Sequence, residues 1–368
     1  MFVLKKGAVL VCRGGQTVIK VLGLALYGPL AASTRYRLGQ YIPGLADLGI
    51  DLQLTGLLGD EYLRRRFNGG GIPMTAMLHD AAERLKQLHH LDKFDLAILY
   101  CELFPFMPGW LERSLIRKPY IYDMDDAVYL QYRLGRKRFA RSILGNKFNS
   151  VMAGAAAVTA GNSVLAEYAL KYNHTVKKLP TVVDTNRYVP VTGRRNPVFT
   201  VGWIGSPSTS SYLPELVAPL AALGAEAPLN FVVIGGKAPS IPNVNVIEIE
   251  WQEYTEVDLI NTFDVGVMPL PDDDWARGKC AFKLIQYMAC AVPVVASPVG
   301  ANLDVVTPAC GLMAGTTNEW VQALKTIRDD IGLRQRMGEA GRRRVVEHYS
   351  LHTALPKLAE MIYMAARK

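Results

Sequence analysis

The sequence predicts an α/β protein built from two doubly wound Rossmann-like domains. Three observations carry that expectation. Short apolar runs alternate with helix-period segments along nearly the whole chain. The alternation happens twice, on either side of a polar, turn-rich stretch at residues 186–197. In each half the apolar runs empty into glycine, hydroxyl and charged residues, the composition of ligand-binding strand ends in parallel sheets. Half of the 368 residues are apolar and 20% are charged, enough for two large cores and too few charges for disorder.

In chain order, residues 18–26 read as a first strand rich in Val, Ile and Leu, ending at Tyr27-Gly28-Pro29. A helix is expected to open at Ala31 and run to about residue 48, carrying Ser33 and Arg35 in its first turns. Further strands are expected at 49–52 onward, 94–100, 119–123 and 155–159, with helices at 74–89 and 138–152 between them. Residues 1–185 form the first expected domain, 186–197 the linker and 198–345 the second domain. Strands of the second series are placed at 198–204, 230–234, 244–249, 264–268 and 293–296, followed by a helical tail from Trp320 whose last part, 346–368, stands apart. The residues ahead of 18 read as a short extension, since their apolar stretch of about six falls below the length of a signal-peptide core.

Residues 264–306 are the most informative segment. An apolar strand stops at Pro269 and Pro271, a helix ends at Ala291-Val292-Pro293, and a second apolar strand leads to Pro298-Val299-Gly300. Between the strands, Lys279, Lys283 and Gln286 recur at i, i+4 and i+7, which puts them on one helix face, with Arg277 just ahead. Cations at the start of a helix that follows a parallel strand suit a phosphate or diphosphate. Solvated lysines on an amphipathic helix would give the same pattern; the small-residue run MACAVPVVAS, which packs helix tightly on strand, favours the site.

This segment resembles the nucleotide-sugar site of the group 1 (family 4) retaining glycosyltransferases, two-domain enzymes of the GT-B fold. VTAGNSVLAEYA, LPTVVDTNRY and the closing HYS extend the resemblance over nearly the whole chain from Val21. It implies two Rossmann-like domains facing across a cleft, with the last helix crossing back onto the first domain. The family shows two Glu with seven residues between them before the MAC run; here Gly278 and Gln286 stand at those positions. This chain is therefore read as a variant without the two-Glu motif, in which Gln286 meets the ribose through its amide.

The remaining candidates sit at strand ends. On the first half these are Gly28, Ser33, Arg35, Glu102, Asp123, Asp125 and Asp126, expected on the acceptor side, with Glu102 or one Asp meeting the acceptor hydroxyl. Helix capping by Asp125 or Asp126 is the plain alternative. On the second half Gly205 and Ser206 offer backbone N–H and hydroxyl groups to phosphate, Gly235 lies beneath the nucleoside, and Gly300 closes the donor side. Asp123-Met124-Asp125 spells a metal-binding DxD, but the cations of the second half are expected to replace a metal, so no metal and no cofactor beyond the nucleoside-diphosphate sugar co-substrate is expected. His348 and His352 have zinc-like spacing without a third ligand, and His89-His90 and Arg64-Arg65-Arg66 read as solvated surface.

A net charge of +8 favours anionic partners, and no nucleic-acid motif is present. Arg133, Arg136, Lys137, Arg138 and Arg141 interleave with Tyr132, Leu134, Phe139, Ile143 and Leu144, a pattern suited to an anionic membrane surface. Five scattered cysteines without a CxxC pair suggest reduced thiols in the cytosol, and no apolar run reaches the roughly 18 residues of a membrane span. The expectation is thus a cytoplasmic, peripherally membrane-bound, metal-independent hexosyl- or related glycosyltransferase for polysaccharide or glycolipid assembly, with Arg277, Lys279, Lys283 and Glu102 catalytic. The alternatives are a silent sugar-nucleotide binding protein and a GT-B nucleotide-sugar epimerase.

Overall fold

The computed structural model describes residues 18–67, 74–133, 138–191, 193 and 196–367. In the first half, β1 (Ile19–Tyr27), β2 (Ile50–Leu58), β3 (Leu96–Tyr100), β4 (Tyr120–Met124), β5 (Ala157–Ala160) and β6 (Val176–Lys178) form one parallel sheet in the order β2-β1-β3-β4-β5-β6. In the second, β7 (Phe199–Ile204), β8 (Leu229–Ile234), β9 (Asn245–Ile249), β10 (Val265–Met268), β11 (Val294–Ala296) and β12 (Gly311–Met313) form another, in the order β12-β11-β10-β7-β8-β9. Helices flank both sheets, as the alternation of the sequence requires.

Strand order fixes where ligands bind. Successive strands run outward from β1 in one direction and from β3 in the other, so a crevice opens between the carboxyl ends of β1 and β3. The matching point in the second sheet lies between β7 and β10.

Three local expectations need correction. The helix foreseen from Ala31 to about residue 48 is broken into Ala32–Arg37, a 3-10 turn at Gly39–Tyr41 and Ile42–Asp47, because Pro43 supplies no N–H to continue a helix. The helix foreseen at 138–152 divides into Arg138–Leu144 and Lys147–Gly154 around Gly145-Asn146. β6 and β12 were not foreseen; each has three residues, too few to show a period. The extension before residue 18, with Cys12, lies outside the described residues, as do Leu134, Arg136, Lys137 and the side chains of Arg66, Arg138 and Phe139.

Apolar clusters cover both faces of each sheet. The last helix, Leu351–Ala365, lays Ala354, Leu358 and Ile362 against Val21, Ile98 and Ile121 of the first sheet. Conversely Tyr36, from the first half, is buried among Ile285 and Val299 of the second. Arg342 ties the crossover together, donating to the carbonyls of Thr185, Tyr188 and Ala289.

Candidate functional site

The second sheet's switch point holds a small pocket walled by Trp203, Thr209, Tyr212, Met268, Leu270, Lys279 and Lys283. β7 brings Trp203 and then turns at Gly205, where a Cβ would fall 2.5 Å from the Trp203 ring and 2.7 Å from Thr209 Oγ1. Gly235 adopts φ +75° at the end of β8 and packs on Gly205, whose carbonyl lies 2.5 Å from where its Cβ would be. Only glycine meets both conditions there. Ser206 shares a hydrogen bond of 2.8 Å with Ser208 at the exposed rim.

The lysines arrive from two different elements. Lys283 lies in the helix Phe282–Ala289, whereas Lys279 precedes it, separated by Ala281 in the left-handed region at φ 53°. The single helix face expected for Lys279, Lys283 and Gln286 is therefore not formed; the chain reversal at Ala281 brings the two lysines to the pocket instead. Lys283 Nζ stands 3.5 Å from Thr209 Oγ1 and 5.2 Å from the centre of the Trp203 ring. Burial, and secondly the Lys279 charge, lower its pKa to about 8 against the pull of Asp126.

Arg277 does not join them. Its side chain is 47% exposed and pairs with Asp272 at 2.7 Å and Asp274 at 3.4 Å. Gly300, at φ +52°, packs directly on the Arg277 backbone, which a Cβ would meet at 2.5 Å.

Gln286 also departs from expectation. It is buried, and its Nε2 donates to Tyr188 Oη at 2.9 Å and Glu256 Oε1 at 3.1 Å, away from the pocket. Glu256 accepts in addition from Tyr36 and Tyr188 hydroxyls and, at 2.6 Å, from Trp251 Nε1. A buried carboxylate satisfied by four neutral donors thus joins the two domains.

From the first domain, the turn after β4 lies over the pocket. Asp126 comes within 3.6 Å of Lys279 Nζ, and burial raises its pKa against the pull of both lysines. Asp125 accepts from Tyr100 Oη at 2.7 Å, and burial raises its pKa to about 6. Arg35 donates to the carbonyls of Pro29 and Leu30, lies over the Trp251 ring at 5.0 Å and reaches Glu253 at 3.6 Å, so it spans the two domains. Gly28 shapes the loop: a Cβ there would meet Asp60 Oδ1, which accepts from Leu30 N, at 2.5 Å.

Two acceptor-side carboxylates are structural. Glu102 is ion-paired with buried Lys147 at 2.6 Å and accepts from Tyr132 at 2.9 Å. Asp123 accepts from Arg37 through both oxygens, Nε at 2.9 Å among them, and from Thr159.

Sequence reasoning missed Asn162, which caps Ser163–Leu170 and crosses the cleft to donate to the carbonyls of Gly278 at 2.8 Å and Lys279 at 3.0 Å. Cys280 donates to the Asp125 carbonyl at 2.9 Å. These contacts press Gly278 onto Ala127, leaving 2.4 Å between the Ala127 Cβ and the place a Cβ at 278 would take. No longer side chain fits there while the domains are in contact.

Two parallel six-stranded sheets with ligand crevices at their carboxyl ends, joined by a returning last helix, are the GT-B architecture of glycosyltransferases. Residues 198–330 match the family model "Glycosyl transferases group 1". The whole chain is similar in fold to sucrose-phosphate synthase from Thermosynechococcus elongatus, at TM-score 0.65 and 14% identity over 94% of this chain and 98% of that one. It is similar too to Anabaena HepE in complex with UDP-glucose (TM-score 0.66, 14% identity, 94% and 99% covered). A third likeness is to WaaG, a glycosyltransferase involved in lipopolysaccharide biosynthesis (TM-score 0.64, 14% identity, 94% and 99% covered). No curated protein matches the chain.

Proposed function

We propose that this chain moves a hexosyl or related sugar from a nucleoside diphosphate to a hydroxyl acceptor, with retention and without a metal, in polysaccharide or glycolipid assembly. The observation that carries the proposal is the meeting of Lys279 and Lys283 at the β7–β10 crevice with Asp126 facing them from the other domain. Two cations in a desolvated pocket stabilise the charge that grows on a departing diphosphate, and a good donor of this kind is worth about 3 kcal/mol. A uridine diphosphate is the nucleotide held by the HepE structures, and WaaG is involved in lipopolysaccharide biosynthesis, which supports the donor class and the pathway.

The pocket has room for about one water, some 10 Å³, so the donor enters with the domains apart. Closure then lays Asp126 and Asp125 over the diphosphate side, beside an acceptor hydroxyl. Lys279, drawn off Asp126 by the diphosphate, would leave that carboxylate free to orient the hydroxyl. Excluding water in this way protects the donor from hydrolysis.

The test is turnover of UDP- and GDP-sugars by Lys283→Ala against the parent protein. A loss of about 10²-fold with the fold intact is expected, since that is the scale of removing one charge-stabilising donor; an unchanged rate removes Lys283 from the chemistry. Full activity in excess EDTA is expected, and NMR of the anomeric proton in the product reads the stereochemistry. The tight wall at Gly278 favours one second reading, a silent nucleotide-sugar binder; it prevails if UDP binds and no donor is ever cleaved with any acceptor.

A further inference from the structure

The tripeptide Gly278-Lys279-Cys280 is second-domain by sequence, yet the first domain grips it from two sides. It leaves the short helix Asp274–Arg277 and ends at left-handed Ala281, where Phe282–Ala289 begins. From its own domain it receives two turn bonds, Gly278 N to the Trp275 carbonyl and Lys279 N to the Ala276 carbonyl, each 3.1 Å. On one side of it, Asn162 Nδ2 donates to the carbonyls of Gly278 and Lys279. On the other, Cys280 Sγ donates to the Asp125 carbonyl and Gly278 lies on Ala127. Cys280 is buried in the first domain's apolar cluster. Gly161, just before Asn162, admits it: a Cβ there would stand 2.3 Å from Cys280 Sγ.

Asn162 is itself held in place. It is buried, and its Oδ1 accepts from Leu165 N at 2.8 Å as the cap of Ser163–Leu170. A side-chain amide carries its acceptor and its donor on one planar group, so fixing the oxygen on the helix directs the nitrogen across the cleft. The two carbonyls it meets belong to the peptide planes on either side of the Lys279 Cα. Holding both planes sets the backbone of Lys279, and with it the direction in which the side chain leaves. Lys279 so placed lines the crevice and meets Asp126, its side chain only 14% exposed. Lys283 is different. It rises from a helix whose Leu284 and Ile285 are buried in the second domain's own cluster.

We infer that Asn162 is a positioning residue for Lys279, aiming it at the departing diphosphate while the two domains are in contact. The second domain by itself supplies Lys283 and the glycine turns; the first completes the charge. This assignment rests on Lys279 being a phosphate-binding cation in sugar transfer, and adds a requirement to it. Nucleotide binds without Asn162, whereas transfer at full rate needs it. A donor held by the open form thus escapes the full set of charges that would cleave it.

The test is Asn162→Asp, a change of almost no volume. The carboxylate keeps the acceptor for Leu165 N at a helix start, where negative charge is favourable, and sets oxygen against both carbonyls in place of N–H. Asn162→Ser keeps a capping oxygen and does not reach across the cleft. In both, kcat with the nucleotide sugar that the parent uses should fall at least about tenfold, the scale of two lost hydrogen bonds. UDP affinity by calorimetry should stay within about twofold of the parent's. A residue that only caps its helix would tolerate both changes, so full turnover by either variant overturns the inference. UDP affinity falling in step with kcat overturns it as well. A second readout needs no turnover: acetylation of Lys279, followed by peptide mass spectrometry, should be several-fold faster in Asn162→Asp than in the parent, with exposed Lys237 as the reference. If the parent moves no sugar from any donor, the functional reading fails and the labelling decides by itself. Faster labelling of the variant then upholds the grip on Lys279, and equal labelling overturns it.

Discussion

Lys283 shows how one residue's protonation follows from its surroundings. Desolvation and the neighbouring Lys279 both disfavour its charge, Asp126 favours it, and the balance is a pKa of about 8. A bound diphosphate needs the protonated form, so UDP affinity should be level up to about pH 8 and fall by up to about tenfold per unit above it. Calorimetric titration with UDP across that range checks the sign. Lys283→Arg, whose charge does not titrate there, should flatten the alkaline limb. An affinity that rises with pH would contradict the placement of the lysine beside the phosphates.

Two elements have glycine where the packing of the whole depends on it. At the loop ahead of Phe282–Ala289, Gly278→Ala would set its methyl 2.4 Å from the Ala127 Cβ, so the cleft must part slightly. Turnover should fall while nucleotide affinity, governed by the second domain alone, holds; kcat and UDP affinity measured together separate the two. Gly109–Leu115 supplies a stability prediction. Burial raises the Glu112 pKa to about 7, opposed by Lys147. Above the unfolded value and below 7 the native state holds the extra proton, so this group's contribution is full at acid pH and lost as pH rises through about 7. Glu112→Gln keeps the acceptor for Phe104 N and should remove that pH dependence; thermal melts of both proteins from about pH 5 to about pH 8 decide.

Across the whole molecule the domains are joined by polar pins as well as by apolar contacts such as that of Tyr36. Glu256 is the central one, with donors from Tyr36 in the first domain, Tyr188 at the crossover, and Gln286 and Trp251 in the second. Glu256→Ala orphans these donors, and unsatisfied buried groups cost about 1–3 kcal/mol each before water enters. A lower melting temperature and a larger radius of gyration by small-angle scattering are expected. If the variant scatters as the parent does, the network is a passenger and closure is governed elsewhere, with Asn162, Cys280 and the Asp126–Lys279 pair among the other contacts across the cleft.

The sequence by itself determined the α/β class, nine of the strands nearly to the residue and the start of a tenth, because period, breakers and strand composition are local properties. It did not determine which charged groups are free. Glu102, Asp123, Gln286 and Arg277 look like site residues in the string, yet each is committed to a partner: Lys147, Arg37, Glu256 and Asp272. Three of those partners lie 30 or more residues away in the chain. Arg277 differs, its partner being five residues off. Long-range packing, which no periodicity records, chose between salt bridge and site.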